Sequence, residues 1–292
     1  IKSKVYKVMT LFLVIVLSFW ITCSNIDARS GTLSNETSYF ITSDIVMSIT
    51  LDTNQTATFH GGYAHVGAYN LQLKGKQYSL SGIWVESGPP SNLNSIFVGI
   101  GVMPNLYGDS EIHLTTRWTA GGSGCYNVHC PGFVQVKSKP YLGMILSPVS
   151  SIGSFKKWVF VPTIKQDKVT GHWWLCIFPK LRCFGYFPKE LFSHLSSGAS
   201  IVRYGGETYT PPGMVSPPMG SGRLPQERFK NSGFMEKIKI INSEYNQIDI
   251  NPRNMKINKD GNLSCYDLLY RGFEGSYSHQ AFLYGGPGGR SC

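Results

Sequence analysis

The stretch Gly124-Cys125-Tyr126-Asn127-Val128-His129-Cys130-Pro131-Gly132-Phe133-Val134-Gln135 constrains the fold more than any other. Two cysteines close a short loop, and Pro-Gly then hands the chain to an apolar strand. Six cysteines follow the leading segment: Cys125, Cys130, Cys176, Cys183, Cys265 and Cys292. An even set of this kind reads as a disulfide framework formed in an oxidising compartment. Local pairs, Cys125–Cys130, Cys176–Cys183 and Cys265–Cys292, would close two short loops and tie down the chain's last segment. Zinc is the rival use of cysteine, but the spacings do not repeat as paired knuckles, so no metal is expected.

The segments between the cysteines are short and punctuated by glycine, proline and asparagine. With 32 Gly, 16 Pro and only 15% charged residues, the chain suits many strands joined by tight turns. Strands are expected at 63–73, 78–86, 95–103, 111–119, 132–137, 142–147, 158–165, 171–178, 184–187, 201–209, 234–242 and 278–284. Only 189–196, led in by Pro188, has a helical pattern. The segment 211–222 reads as a long surface loop. No βαβ alternation and no repeat is present, so the fold class is all-β, a sandwich of antiparallel sheets.

Ahead of this body, Lys2, Lys4 and Lys7 precede an apolar run from Val8 to Ile21 and small residues such as Ser24 and Ala28. That pattern is a secretory signal peptide over residues 1–28, and the run is short of the roughly 20 residues of a membrane span. An uncleaved anchor is the alternative. Residues 29–57, rich in Ser, Thr and Asn, are expected to be a flexible lead-in to a domain at 58–292. Sequons at Asn35, Asn54 and Asn262 fit secretion and glycosylation.

The net charge of +10 falls to about +8 without the leading segment. Its cations lie in scattered pairs, Lys137/Lys139, Lys156/Lys157 and Lys237/Lys239, and not in tracts. Nucleic acid is therefore not an expected partner, whereas an anionic wall or surface polysaccharide is. No Ser-His-Asp or Cys-His arrangement is apparent: His129 and His172 are isolated, and Asp109 reads as a turn residue. Gly285 to Gly289 follows no helix signal and is a turn, not a phosphate loop.

An ordered set of blocks resembles the C-terminal domain of the plant neprosin proteins. It comprises Leu106-Tyr107-Gly108-Asp109, Trp118-Thr119, the Cys125 to Gln135 stretch, Gly171-His172-Trp173-Trp174-Leu175, Gly185-Tyr186-Phe187-Pro188, Tyr204-Gly205-Gly206-Glu207, Pro218-Met219-Gly220-Ser221-Gly222, Ser264-Cys265-Tyr266-Asp267 and Tyr284-Gly285-Gly286-Pro287-Gly288-Gly289. The resemblance implies a secreted, acid-active glutamic endopeptidase that cuts after proline, without metal or cofactor. It also implies an activation segment, which residues 29–57 do not resemble.

In such a site two carboxyl groups divide the work. The ionised one takes a proton from water, and the protonated one donates to the oxyanion or leaving nitrogen. Their repulsion separates the two pKa values, so they share one proton over a window of pH. The second family glutamate falls on Glu207. The first falls in Ile96-Phe97-Val98-Gly99-Ile100-Gly101-Val102, where Phe97 stands in its place.

A weak or lost activity is therefore expected, with a non-catalytic binding protein for Pro-rich wall protein or polysaccharide as the alternative. Glu86 and Glu111 are the nearest substitutes in sequence. If Glu86 pairs with Asn94, and Phe97 with Ile83, Glu86 lies on the face away from Phe97. The aromatic residues of the matching blocks, Trp118, Trp173, Trp174, Tyr186 and Tyr204, are the candidates for lining a substrate cleft. Trp173 and Trp174 must point to opposite faces of their strand, so one of the two belongs to the core.

Overall fold

Strands that alternate apolar and polar residues need a second layer to cover the apolar side, and this chain supplies it with a second sheet. The computed structural model describes residues 45–292 apart from 56, 179–181 and 291. The expected signal segment and Asn35 lie outside the described residues.

The first sheet holds β1 (Ile45–Thr53), β3 (Tyr78–Ser87), β4 (Asn94–Val102), β5 (His113–Ala120), β6 (Ser123–Tyr126), β12 (Ile201–Thr210) and β16 (Met255–Lys259). Their order is β16-β1-β12-β3-β4-β5-β6. The second holds β2 (Gly61–Gly67), β7 (Val134–Gln135), β9 (Pro162–Gln166), β10 (Trp173–Ile177), β11 (Arg182–Phe187), β13 (Met219–Gly220), β14 (Gly233–Ile241) and β18 (Gln280–Gly286). Here the order is β13-β18-β14-β2-β9-β10-β11-β7, with β8 (Val159–Phe160), β15 (Gln247–Asp249) and β17 (Asp267–Phe273) added beside β2, β14 and β18. Neighbouring strands run antiparallel. Two helices of a single turn, α1 (Pro104–Tyr107) and α2 (Gly275–Ser278), sit in connections.

The core lies between the sheets. Ile83, Val85, Ile96, Val98, Ile100 and Leu114 from the first meet Ala64, Val66, Ile164, Trp173, Leu175 and Phe187 from the second. Disulfides join Cys125–Cys130, Cys176–Cys183 and Cys265–Cys292. All six cysteines are thereby removed as zinc ligands. Among the described residues, no helix is long and apolar enough to cross a membrane.

The structure corrects several expectations. Residues 45–53 are a strand inside the first sheet and not part of a flexible lead-in. Their alternation, with Ile49 and Leu51 inward and Ser48 and Thr50 outward, is masked by hydroxyl-bearing neighbours. The expected helix at 189–196 is one 3₁₀ turn, Lys189–Leu191. Phe192 and Leu195 then turn into the core, and the Leu195 carbonyl accepts from Trp173 Nε1 at 2.9 Å instead of continuing a helical ladder. The expected strand at 142–147 is reduced to a bridge between His113 and Ile145.

Candidate functional site

Every second residue of the first sheet points away from the core. On that outer face β12 places Arg203, Gly205 and Glu207, and β3 places Tyr78, Leu80, Gly82, Trp84 and Glu86. Phe97, Gly99 and Gly101 come from β4, and His113, Thr115 and Arg117 from β5. Trp84 stands opposite Phe97, and Glu86 opposite Ser95. The hairpin is thus one residue out of step with the expected register. β3 continues to Ser87, which pairs with Asn94, before Gly88 turns the chain at φ +110°. A one-residue shift moves every side chain to the other face, so Glu86 shares the face of Phe97.

Glu207 is held by an arginine. Its Oε1 accepts from Arg117 Nη1 at 2.7 Å and from the Tyr78 hydroxyl at 2.8 Å, and its Oε2 accepts from Arg117 Nη2 at 3.0 Å. Arg117 Nη1 also donates to the Tyr126 hydroxyl at 3.3 Å. The two charged side chains are 13% and 12% exposed. β5 lies three strands from β12, about 14 Å across a flat sheet, so the meeting of the two side chains requires a concave face. The glycines at 82, 99 and 101 leave the floor between them clear.

Burial alone pushes the Glu207 carboxyl up. The Arg117 charge and the hydrogen bonds from Arg117 and Tyr78 outweigh it and hold the carboxyl below the usual carboxylate range. For Tyr78, burial and the Glu207 charge both push the phenol well above its ordinary value. At this site Glu207 is therefore a fixed anion inside a bidentate pair, with Tyr78 a neutral donor.

Phe97 is fully buried beside that pair. Its ring centroid lies 4.6 Å from that of Trp84, and it packs with Leu80 and Met103, flanked by Tyr78, Tyr107 and Tyr126. A Cβ at Gly82 or Gly99 would fall 2.8 or 2.7 Å from the Phe97 ring. The ring therefore occupies the space directly above the glycine floor.

The other acids of this region are engaged elsewhere. Glu86 is six residues along β3 from Leu80, the register partner of Glu207, which is about 20 Å of strand. It accepts from Arg203 Nε at 2.6 Å, and Arg203 Nη1 donates to Asp52 at 3.0 Å. Glu111 is exposed and takes a bond from Asn70. Asp109 caps its turn through the Glu111 N–H and also meets His113 Nε2 at 2.9 Å.

The expected cleft aromatics are not assembled around Glu207. Trp118, Trp173 and Tyr204 are buried on the inner faces; Tyr204 donates to the Lys239 carbonyl across the sandwich at 2.8 Å. Trp174 is the partner on the opposite face of β10. It packs on Tyr186, which stacks on His172, all on the outer face of the second sheet. Trp118, Trp173 and Tyr204 thus serve the packing between the sheets. The residues that do surround Glu207, namely Arg117, Tyr78 and Tyr126, were absent from the expected site. One signal pointed to Arg117: it is the lone Lys or Arg of β5, a strand whose first four residues are buried, and an arginine so placed requires an acid.

A family model described as Neprosin matches residues 75–287 of the chain. Among solved structures, the chain is similar to the crystal structure of Scytalido-glutamic peptidase with a peptide based transition state analog. That similarity has a TM-score of 0.40 at 8% identity and covers 84% of this chain and 98% of that one.

Proposed function

Since the chain belongs to the neprosin family, we propose that it is a secreted member on a glutamic-peptidase frame, that its ligands are proline-containing peptides, and that hydrolysis is weak or lost. The observation that carries this reading is the bidentate Arg117–Glu207 pair beside Phe97. A working acid pair needs two carboxyl groups that exchange one proton near the operating pH. Here Phe97 stands where one carboxyl is expected, and Arg117 holds the other, Glu207, ionised with its oxygens occupied.

Secretion rests on the leading apolar segment, the three disulfides and the exposed sequon at Asn262. The excess of positive charge favours a second partner class, an anionic polysaccharide.

Cleavage and binding of a quenched proline-containing peptide between about pH 3 and 7 test the reading, with Glu207→Gln as the comparison. Binding without turnover in either protein is expected. Turnover that vanishes in the variant would show a working acid pair and overturn the loss of hydrolysis. Absence of both binding and turnover would remove peptides as the ligand class.

A further inference from the structure

Away from the Glu207 face, at the end of β2 and β14, two loops bring aromatic rings and unpaired cations together. The first, 150–158, is closed at its neck. Ser150 N–H donates to the Ala68 carbonyl at 2.8 Å, Ala68 N–H to the Trp158 carbonyl at 3.0 Å, and Trp158 N–H to Ser150 Oγ at 2.8 Å. The second is the turn 228–232, in which Arg228 adopts a left-handed φ of +69°. Such a conformation is costly for a side-chain-bearing residue and persists only where its surroundings impose it. The loops are knitted together through Lys157, whose Nζ donates to the carbonyls of Ser151 at 3.1 Å and Lys230 at 2.7 Å.

This rigid ridge displays Phe155, 80% exposed, with Ile152, Trp158 and Phe229 also exposed around it. Lys230 Nζ lies 4.8 Å from the Phe155 ring, Lys156 Nζ 5.0 Å from Trp158, and Lys157 Nζ 5.2 Å from Tyr69. Among the described residues, none of Lys156, Lys157, Arg228 and Lys230 has a carboxylate within ion-pair distance; the adjacent Glu227 faces Arg223. Burial and then the Lys230 charge pull the Lys157 ammonium below its ordinary value, as expected where cations crowd without acids.

We propose that this ridge is a docking surface for an acidic polysaccharide of the polyuronate type. A uronate repeat offers an apolar sugar face and one carboxylate, and the ridge offers repeated ring-and-ammonium pairs of matching chemistry. A membrane wedge would present its rings bare, whereas here Lys230 lies on the Phe155 ring and Lys156 on the Trp158 ring. Because both loops are pinned, little ordering accompanies binding. The inference gives a location to the polysaccharide partner proposed above. It is independent of the Glu207 site on the other sheet, so peptide binding measured on the same variants separates failure of one from failure of the other.

Polygalacturonate is the probe, titrated into the oxidised full chain at low salt and again at about 0.5 M salt, where exposed charges are screened. Lys156→Gln/Lys230→Gln should weaken binding about tenfold or more. Lys137→Gln/Lys139→Gln, the same charge change at the β7 edge, should leave it within about twofold. Phe155→Ser should weaken binding with charge unchanged, and a methyl-esterified polymer should not bind. No binding to polygalacturonate would overturn the inference. So would equal losses from the two lysine pairs, or binding confined to vesicles of anionic phospholipid.

Discussion

The outer face of the first sheet carries two clusters built from the same chemistry in different proportions. In one, Arg117 serves Glu207 alone, and the carboxyl is held low. In the other, Arg203 is divided between Glu86 and Asp52. Burial pushes Asp52 up, Arg203 opposes it, the Glu86 charge adds to it, and the balance leaves the carboxyl above its ordinary value. At Glu207 the Arg117 charge and hydrogen bonds outweigh burial and leave an anion; at Asp52 burial prevails over the shared Arg203 and leaves a carboxyl that holds its proton more readily. The acidity of a buried glutamate is therefore not given by its place in the strand. Its acidity depends on what faces it.

The comparison breaks most severely at its tighter pair. Arg117→Met strands a buried anion, and urea unfolding should show a loss of about 3–5 kcal/mol. Arg203→Met should cost less, because Asp52, already held above its ordinary value, can take up a proton instead of remaining a stranded charge.

The next test asks whether Arg117 or Phe97 accounts for the weak or lost hydrolysis proposed above. Phe97→Glu alone should gain no peptide turnover, because Arg117 lies directly opposite position 97 and would pair with the new acid as well. Phe97→Glu with Arg117→Gln should acquire acid-dependent cleavage, read with the quenched peptide. Turnover from the single variant would show that the arginine is no obstacle.

The smallest effects are opposite tilts of stability against pH. The Glu207 pair contributes fully above the unfolded carboxyl value of about 4.3 and is lost as pH falls through the lower folded value. Asp52 acts in reverse: stability declines as pH rises from about 3.9 through its raised folded value. Glu207→Gln should flatten the acid limb of the curve and Asp52→Asn the limb just above it, as followed by thermal melts across pH.

Much of the fold was legible because its signals are local. Cys125, Cys130 and the Pro-Gly after them mark a stapled turn whatever lies around them, and the alternation at Trp173-Trp174 correctly sends one ring to the core. What could not be read was pairing over distance. Ile49 and Leu51 alternate with hydroxyl side chains, so β1 looked polar until β12 and β16 were placed beside it. The β3–β4 register turned on whether Ser87 ended the strand or belonged to the turn, and that one residue decided the face of Glu86. Trp174 and Tyr186 could be assigned to a strand but not to a sheet. The bond between Arg117 and Glu207 spans 90 residues and a curved surface, which no spacing rule describes.

The interior position of β1 also makes the first sheet depend on it. It supplies Ser48 opposite Glu207 and ties to the neighbouring segment through Asp260, the serine hydroxyl donating at 2.5 Å. Loss of β1 would therefore leave β12 and β16 without their shared partner and uncover a sticky sheet edge.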